Sequence, residues 1–158
     1  MRTWNFLCMM LLAVLLLSAC APVVSVEQPL SLDFRGTNLT VGMPAGKAIA
    51  ALGDDFTLSE SESCAGKGMD QMYTYPSLRL YVFAPAKGMA TVSSVSYTDD
   101  GARTAEGLHI GSAAAEITAA LGEADEISDT RICYRRSGSV LTFTLRDGRV
   151  SGIVLSGE

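Results

Sequence analysis

The spacing of apolar and polar positions changes several times along the chain. Residues 6–17 are an almost unbroken apolar run. Further on, Leu30, Leu32 and Phe34 alternate with Ser31, Asp33 and Arg35, the two-residue period of a half-buried strand. Gly36-Thr37-Asn38 then predicts a turn into Leu39-Thr40-Val41. Strand-like alternation returns over residues 72–75, 78–83 and 92–97, with Pro76-Ser77 and an 84–90 loop between them, and again over 131–135, 140–145 and 150–155. Ser137-Gly138 and Asp147-Gly148 separate the last three runs, the second being a strong hairpin signal between alternating segments.

A helical period appears twice. The stretch from Val41-Gly42-Met43-Pro44-Ala45 to Ala51-Leu52-Gly53 recurs 69 residues later as Ile110-Gly111-Ser112-Ala113-Ala114 to Ala120-Leu121-Gly122. Pro44 suits a first helical position, Ser112 an N-cap, and Gly53 and Gly122 the left-handed residue after the last turn. Ala45, Ala48, Ile49 and Leu52 share one face, as do Ala114, Ile117 and Leu121. Helices of about nine residues are too short to stand alone, so each must lie on a sheet. Residues 92–97 echo 150–155 at a spacing of 58, which gives the first copy 11 extra residues between Cys64 and its last strand. The expected fold is α+β: two tandem repeats, 30–104 and 105–158, each a short helix packed on an antiparallel sheet.

The leading residues have a different character. Arg2, the apolar run and the small pair Ser18-Ala19 form the three-part layout of a secretory signal, and the run is shorter than the ~20 residues a spanning helix needs. Leu17-Ser18-Ala19-Cys20 resembles the lipobox of bacterial lipoproteins. That resemblance implies that residues 1–19 are a signal peptide, that Cys20 receives a diacylglyceryl thioether, and that residues 20–29 tether a membrane-anchored extracytoplasmic domain. An ordinary signal cut near Ala19, leaving Cys20 a thiol, is the alternative. With Cys8 in the leader and Cys20 lipidated, Cys64 and Cys133 remain in an oxidising compartment, where a disulfide between them is expected. They share the 69-residue spacing of the repeat; two unrelated buried thiols are the other reading.

Charge narrows the partners. Removing the leader takes away Arg2 and no acid, leaving eleven basic against seventeen acidic side chains, a balance that argues against nucleic acid. The bases are uneven: Arg131, Arg135, Arg136, Arg146 and Arg149 face only Asp147 and Glu158 in the last 28 residues. Such a cluster suits anionic polymer or headgroups, or a solvated sheet face.

Two tandem helix-plus-sheet units, each opened by a Gly-containing turn and closed by Leu-Gly, resemble the fold of the β-lactamase inhibitory protein and the envelope lipoprotein BamE. Ser63-Cys64-Ala65-Gly66-Lys67-Gly68-Met69-Asp70-Gln71-Met72-Tyr73-Thr74-Tyr75, with Thr104-Ala105-Glu106-Gly107-Leu108-His109-Ile110-Gly111, is similar to signatures in a family of Gram-positive lipoproteins. The resemblance spans about residues 30–155 and implies a fold and an address, with no chemistry attached.

Candidate chemistry is sparse. His109 is the sole histidine, and no Gly-x-Ser-x-Gly, His-Glu-x-x-His or phosphate loop occurs. Asp99-Asp100-Gly101 reads as a turn and implies no calcium loop, and no cofactor or metal is expected. Paired acids, Glu60 with Glu62 or Asp54, Asp55, Glu123 and Asp125 at the helix ends, are the one route to a hydrolase. The favoured reading is a non-catalytic protein- or ligand-binding adaptor with an envelope or extracellular protein partner; an assembly or structural lipoprotein of BamE type is the alternative. Met69, Tyr73, Tyr75, Tyr81, Phe83 and Met89 are the expected contact surface, because exposed Tyr and Met suit interface anchors. Tyr73, Tyr75, Tyr81 and Phe83 are read as sharing one face by their odd numbers.

Overall fold

The computed structural model describes residues 29–64 and 66–158. The Cys20 lipidation site, the leader and most of the tether lie outside them. The fold is α+β, an antiparallel sheet with two helices. A hairpin of β1 (Leu32–Phe34) and β2 (Thr37–Leu39) leads into α1 (Ala45–Leu52). Four strands follow, β3 (Thr57–Glu62), β4 (Gly68–Tyr75), β5 (Leu78–Pro85) and β6 (Thr91–Tyr97), then α2 (Ala114–Leu121). The chain ends in β7 (Glu126–Ile127), β8 (Arg131–Arg136), β9 (Ser139–Arg146) and β10 (Arg149–Gly157). The last eight strands form one sheet in the order β3-β4-β5-β6-β10-β9-β8-β7. Each run of four therefore ends at the centre, where β6 pairs antiparallel with β10. Among the described residues no helix is long and apolar enough to cross a membrane.

Local chemistry sets the turns. Arg35-Gly36, Ser137-Gly138 and Asp147-Gly148 all carry positive φ at both residues, the backbone that matches strand twist in a two-residue hairpin loop. The first of these corrects the sequence reading: the turn falls at Arg35-Gly36, and Thr37 and Asn38 are already strand, paired with Phe34 and Asp33. The helix starts also move by a residue. Pro44 is the N-cap of α1 and Ala113 that of α2, whose N–H donates to the Glu116 carboxylate at 2.8 Å. Ser112 caps nothing; its hydroxyl accepts the His109 N–H at 3.2 Å. Gly53 and Gly122 follow the helices at φ 84° and 81°, as their positions implied.

One face of the sheet is buried. Tyr73, Tyr75, Leu78, Leu80, Val95 and Tyr97 from the first four strands join Ile132, Tyr134, Leu141, Phe143, Ile153 and Leu155 from the last four in a single core. The helices lie on it through Ala45 and Ala48 of α1 and Ile117 of α2, with Ile49, Leu52, Ala114 and Leu121 half-buried around them. Both helices are tied to the sheet by the same backbone bonds. The Gly42 N–H donates to Val92 O and the Gly111 N–H to Val150 O, both at 2.8 Å. Likewise the Ala45 N–H reaches Ala90 O and the Ala114 N–H Gly148 O, both at 2.9 Å. Tyr97 anchors the rest of the chain to the core: its hydroxyl donates to Asp33 O in β1 and contacts Arg103 O at 2.8 Å in the loop before α2. Burial first, then Asp33 and Glu106, hold its phenol well above the usual tyrosine range.

The halves differ at two buried phenols. The Tyr134 hydroxyl donates to Gly122 O at 3.0 Å, closing the C-terminus of α2. Tyr75 occupies the matching place in β4, yet its buried hydroxyl has no partner among the described residues. Burial first, then Tyr73 and Asp54, push its pKa up to about 12. A satisfied buried hydroxyl contributes about 1 kcal/mol, whereas an unpartnered one contributes nothing favourable. Tyr134→Phe is therefore expected to lower stability in urea unfolding by about 1 kcal/mol, and Tyr75→Phe to leave it unchanged or raise it.

Candidate functional site

Among the described residues the second face of the sheet carries no helix. Its strand register lines up the side chains in rows. One row runs Ser59, Met72, Tyr81, Ser94, Ser156 and Val140 across β3, β4, β5, β6, β10 and β9. The next crosses all eight strands as Thr57, Thr74, Arg79, Ser96, Val154, Thr142, Cys133 and Glu126. Hydroxyl groups are frequent in both rows because these positions alternate with the core positions, and all of them except the buried Cys133 keep contact with water. The sheet curls around this face to leave an open groove of about 880 Å³, floored by Met72 and Tyr81 and walled by serines of β3, β6 and β10, with Asp70 and Glu158 at its margins.

Of the six residues expected to form a contact surface, the structure places Tyr81 in this groove. Tyr73 and Tyr75 are in the core, packed edge-on and tilted against Phe56 at 5.0 and 5.4 Å. The odd-number reading fails at the Pro76-Ser77 turn. A two-residue loop pairs Tyr75 with Leu78 and Tyr73 with Leu80, so odd positions of β4 share a face with even positions of β5. Phe83 is half-buried on the groove side, while Met69 and Met89 are exposed away from the groove lining. The serines of β3, β6 and β10 were missed. The signal was present in Val92-Ser93-Ser94-Val95-Ser96-Tyr97, where polar positions oppose a buried Val and Tyr, but it needed the register to be read.

The disulfide is corrected outright. Cys64 is an exposed free thiol just past β3, and Cys133 a buried free thiol on β8. Six strand spacings separate β3 from β8, on the order of 29 Å along the sheet, against the ~7 Å between Cα atoms that a disulfide tolerates. The shared spacing misled because Cys133 aligns with Thr74 in the sheet register; Cys64 sits at the tip of a longer hairpin. Seventeen residues separate the partners Thr57 and Thr74, but seven separate Glu126 and Cys133. The extra length of the first half thus lies around Cys64.

Other candidates disperse. Arg131 and Arg135 flank Cys133 on β8 and both reach Glu126, at 3.0 and 3.5 Å, so the carboxylate bridges them on the strand beside the thiol. Arg146 and Arg149 face each other across the last hairpin, with Arg149 turned to donate to Gly111 O at 2.9 Å. The arginine cluster is therefore two separate pairs, with Arg136 at the next turn. His109 lies in the loop before α2, its Nδ1 2.9 Å from an Arg103 guanidinium nitrogen and 3.1 Å from Ser112 Oγ. Asp99 forms the expected turn: hydrogen bonds from Ser77 and the Gly101 N–H hold its carboxyl below the usual range. Glu60 accepts from Gln71 at 2.6 Å, and Asp125 from the Arg135 N–H at 2.6 Å. Among the described residues no group of three or more His, Cys, Asp and Glu is placed to hold a metal ion.

No family model, curated protein or solved structure matches this chain. The two thiols give a direct check on the topology. In the native protein Cys64 should react readily with a thiol reagent and Cys133 only on unfolding, and a non-reducing digest should yield no peptide joining the two.

Proposed function

We propose that this chain is a lipid-anchored extracytoplasmic binding module that engages a protein or ligand through the open face of its sheet. The observation that carries the reading is the one-sidedness of the sheet. Both helices pack on one face, and the opposite face is a broad hydroxyl-lined groove with Tyr81 in its floor. A rigid antiparallel sheet presenting side chains in register is a ready platform for contact. The anchor rests on the lipobox-like Leu17-Ser18-Ala19-Cys20.

The finer architecture belongs to the same proposal. We read the two halves as tandem repeats of the kind seen in the β-lactamase inhibitory protein and BamE. The strand order mirrored about β6 and β10, the paired helix-to-sheet hydrogen bonds and the matched bridges Pro44 with Thr91 and Ala113 with Arg149 support this. Binding is preferred to hydrolysis because Asp70 and Glu158, the carboxylates at the groove, belong to β4 and the end of β10. Three strand spacings lie between the backbones that carry them, ~14 Å, a wider base than a pair working at ~5–9.5 Å between carboxyl groups would start from. An assembly role of BamE type stays as the second reading, favoured by the uncovered edge at β3.

Two measurements test this. Growth with labelled palmitate should label the chain and not its Cys20→Ser variant; label in the variant, or none in the unmodified chain, would remove the anchor. A photo-crosslinking side chain at Tyr81 should give a discrete adduct in intact cells that the same group at exposed Lys47 on α1 does not. Equal labelling at both positions, or none at either, would count against the open face.

A further inference from the structure

Strand β3 contributes nothing to the core. All six of its residues, Thr57 to Glu62, are exposed, and among the described residues it pairs with β4 alone. The opposite edge, β7, is two residues long. Long bare edges invite pairing, and proteins usually shorten them or protect them with charged side chains, Pro or a bulge. β3 has no Pro and no bulge, and its register with β4 is unbroken; its only charges are Glu60 and Glu62, which repel an acidic strand and leave the edge open to a basic one.

The phase of the ladder shows what the edge presents. The Ser63 N–H donates to Gly68 O at 3.0 Å, so by alternation Ser61, Ser59 and Thr57 bond inward to β4. Leu58, Glu60 and Glu62 then turn their N–H and C=O groups outward. Their side chains share the face on which Leu58 pairs with Tyr73 and Glu62 with the exposed Met69. From Asp54 to Leu78 the chain carries five carboxylates and one cation, Lys67. An antiparallel copy of β3 would set Glu60 and Glu62 against each other, and like charges directly opposite are unfavourable. The chain's own residues 20–28 carry Glu27 and no cation, so they do not complement the edge either.

We infer that β3 is a docking edge for an extended basic segment of a partner polypeptide, added antiparallel as a ninth strand. Backbone groups of Leu58, Glu60 and Glu62 hold its main chain. Glu62 and Glu60 take two cationic side chains spaced by two, and Leu58 takes an apolar side chain two further on. The pattern recognised is basic-x-basic-x-apolar. This surface shares β3 with the groove, whose wall takes Ser59 and Ser61, but uses the outward backbone groups and the opposite face, and it stands whether or not the groove binds anything.

The test uses the purified full-length chain in nonionic detergent micelles at low salt, with the labelled peptide acetyl-Thr-Lys-Thr-Lys-Thr-Val-Thr-amide. Saturable binding is expected. N-methylation of the two Lys and the Val, whose N–H groups face β3, should weaken it by about tenfold or more, the effect of losing two or three hydrogen bonds of ~1 kcal/mol each. N-methylation of the alternate Thr residues should change it little. The double variant Glu60→Lys, Glu62→Lys should lose the lysine peptide and take its glutamate counterpart. No saturable binding, equal weakening by both methylation patterns, or self-association of the chain through β3 would each overturn the inference.

Discussion

Four backbone pairs at the middle of the sheet, Ser94 with Ser156, Val95 with Leu155, Ser96 with Val154 and Tyr97 with Ile153, decide whether this chain has one core or two fragments of one. Each flanking set of four strands has a single eight-residue helix to cover it, too little to bury a sheet face alone. Joining β6 to β10 merges the two apolar faces, and the pairs Val95 with Leu155 and Tyr97 with Ile153, all at most 4% exposed, are where they fuse. Tyr97 then extends that seam outward by tying β1 and the loop before α2 to the same point.

The seam also creates the open face. The residues alternating with Val95, Tyr97, Ile153 and Leu155 are serines and Val154, and they become the centre of a continuous polar surface because no second layer covers them among the described residues. A face that must stay in water selects hydroxyls and short side chains; a face that meets helices selects large apolar ones. The two surfaces of one strand thus differ in kind, cohesive on one side and open to water on the other.

The two ends of the sheet are not equivalent. The distal end is closed by a two-residue β7 whose Glu126 bridges Arg131 and Arg135. The proximal end runs out into a longer hairpin with an exposed, acidic outer strand and Cys64 near its tip. Extra chain that buries nothing has no role in cohesion.

Local order was legible in the sequence: both helices and their apolar faces, seven of the strands, the Ser137-Gly138 and Asp147-Gly148 turns and the closing glycines follow from short-range period and backbone preference. Register and adjacency were not. Whether Tyr75 faces the core with Leu78 or with Tyr81 depends on the parity of one turn, and whether Cys64 meets Cys133 depends on strand order. Equivalent positions in two mirrored halves approach each other only near the centre, where Ser96 pairs with Val154, and diverge with every strand outward. The sequence by itself determined which segments are strands, helices and turns, because those choices are settled within a few residues. Tertiary structure decided which strands touch, which side chains share a face and where the open groove lies, because hydrogen bonding between distant strands fixes all three at once.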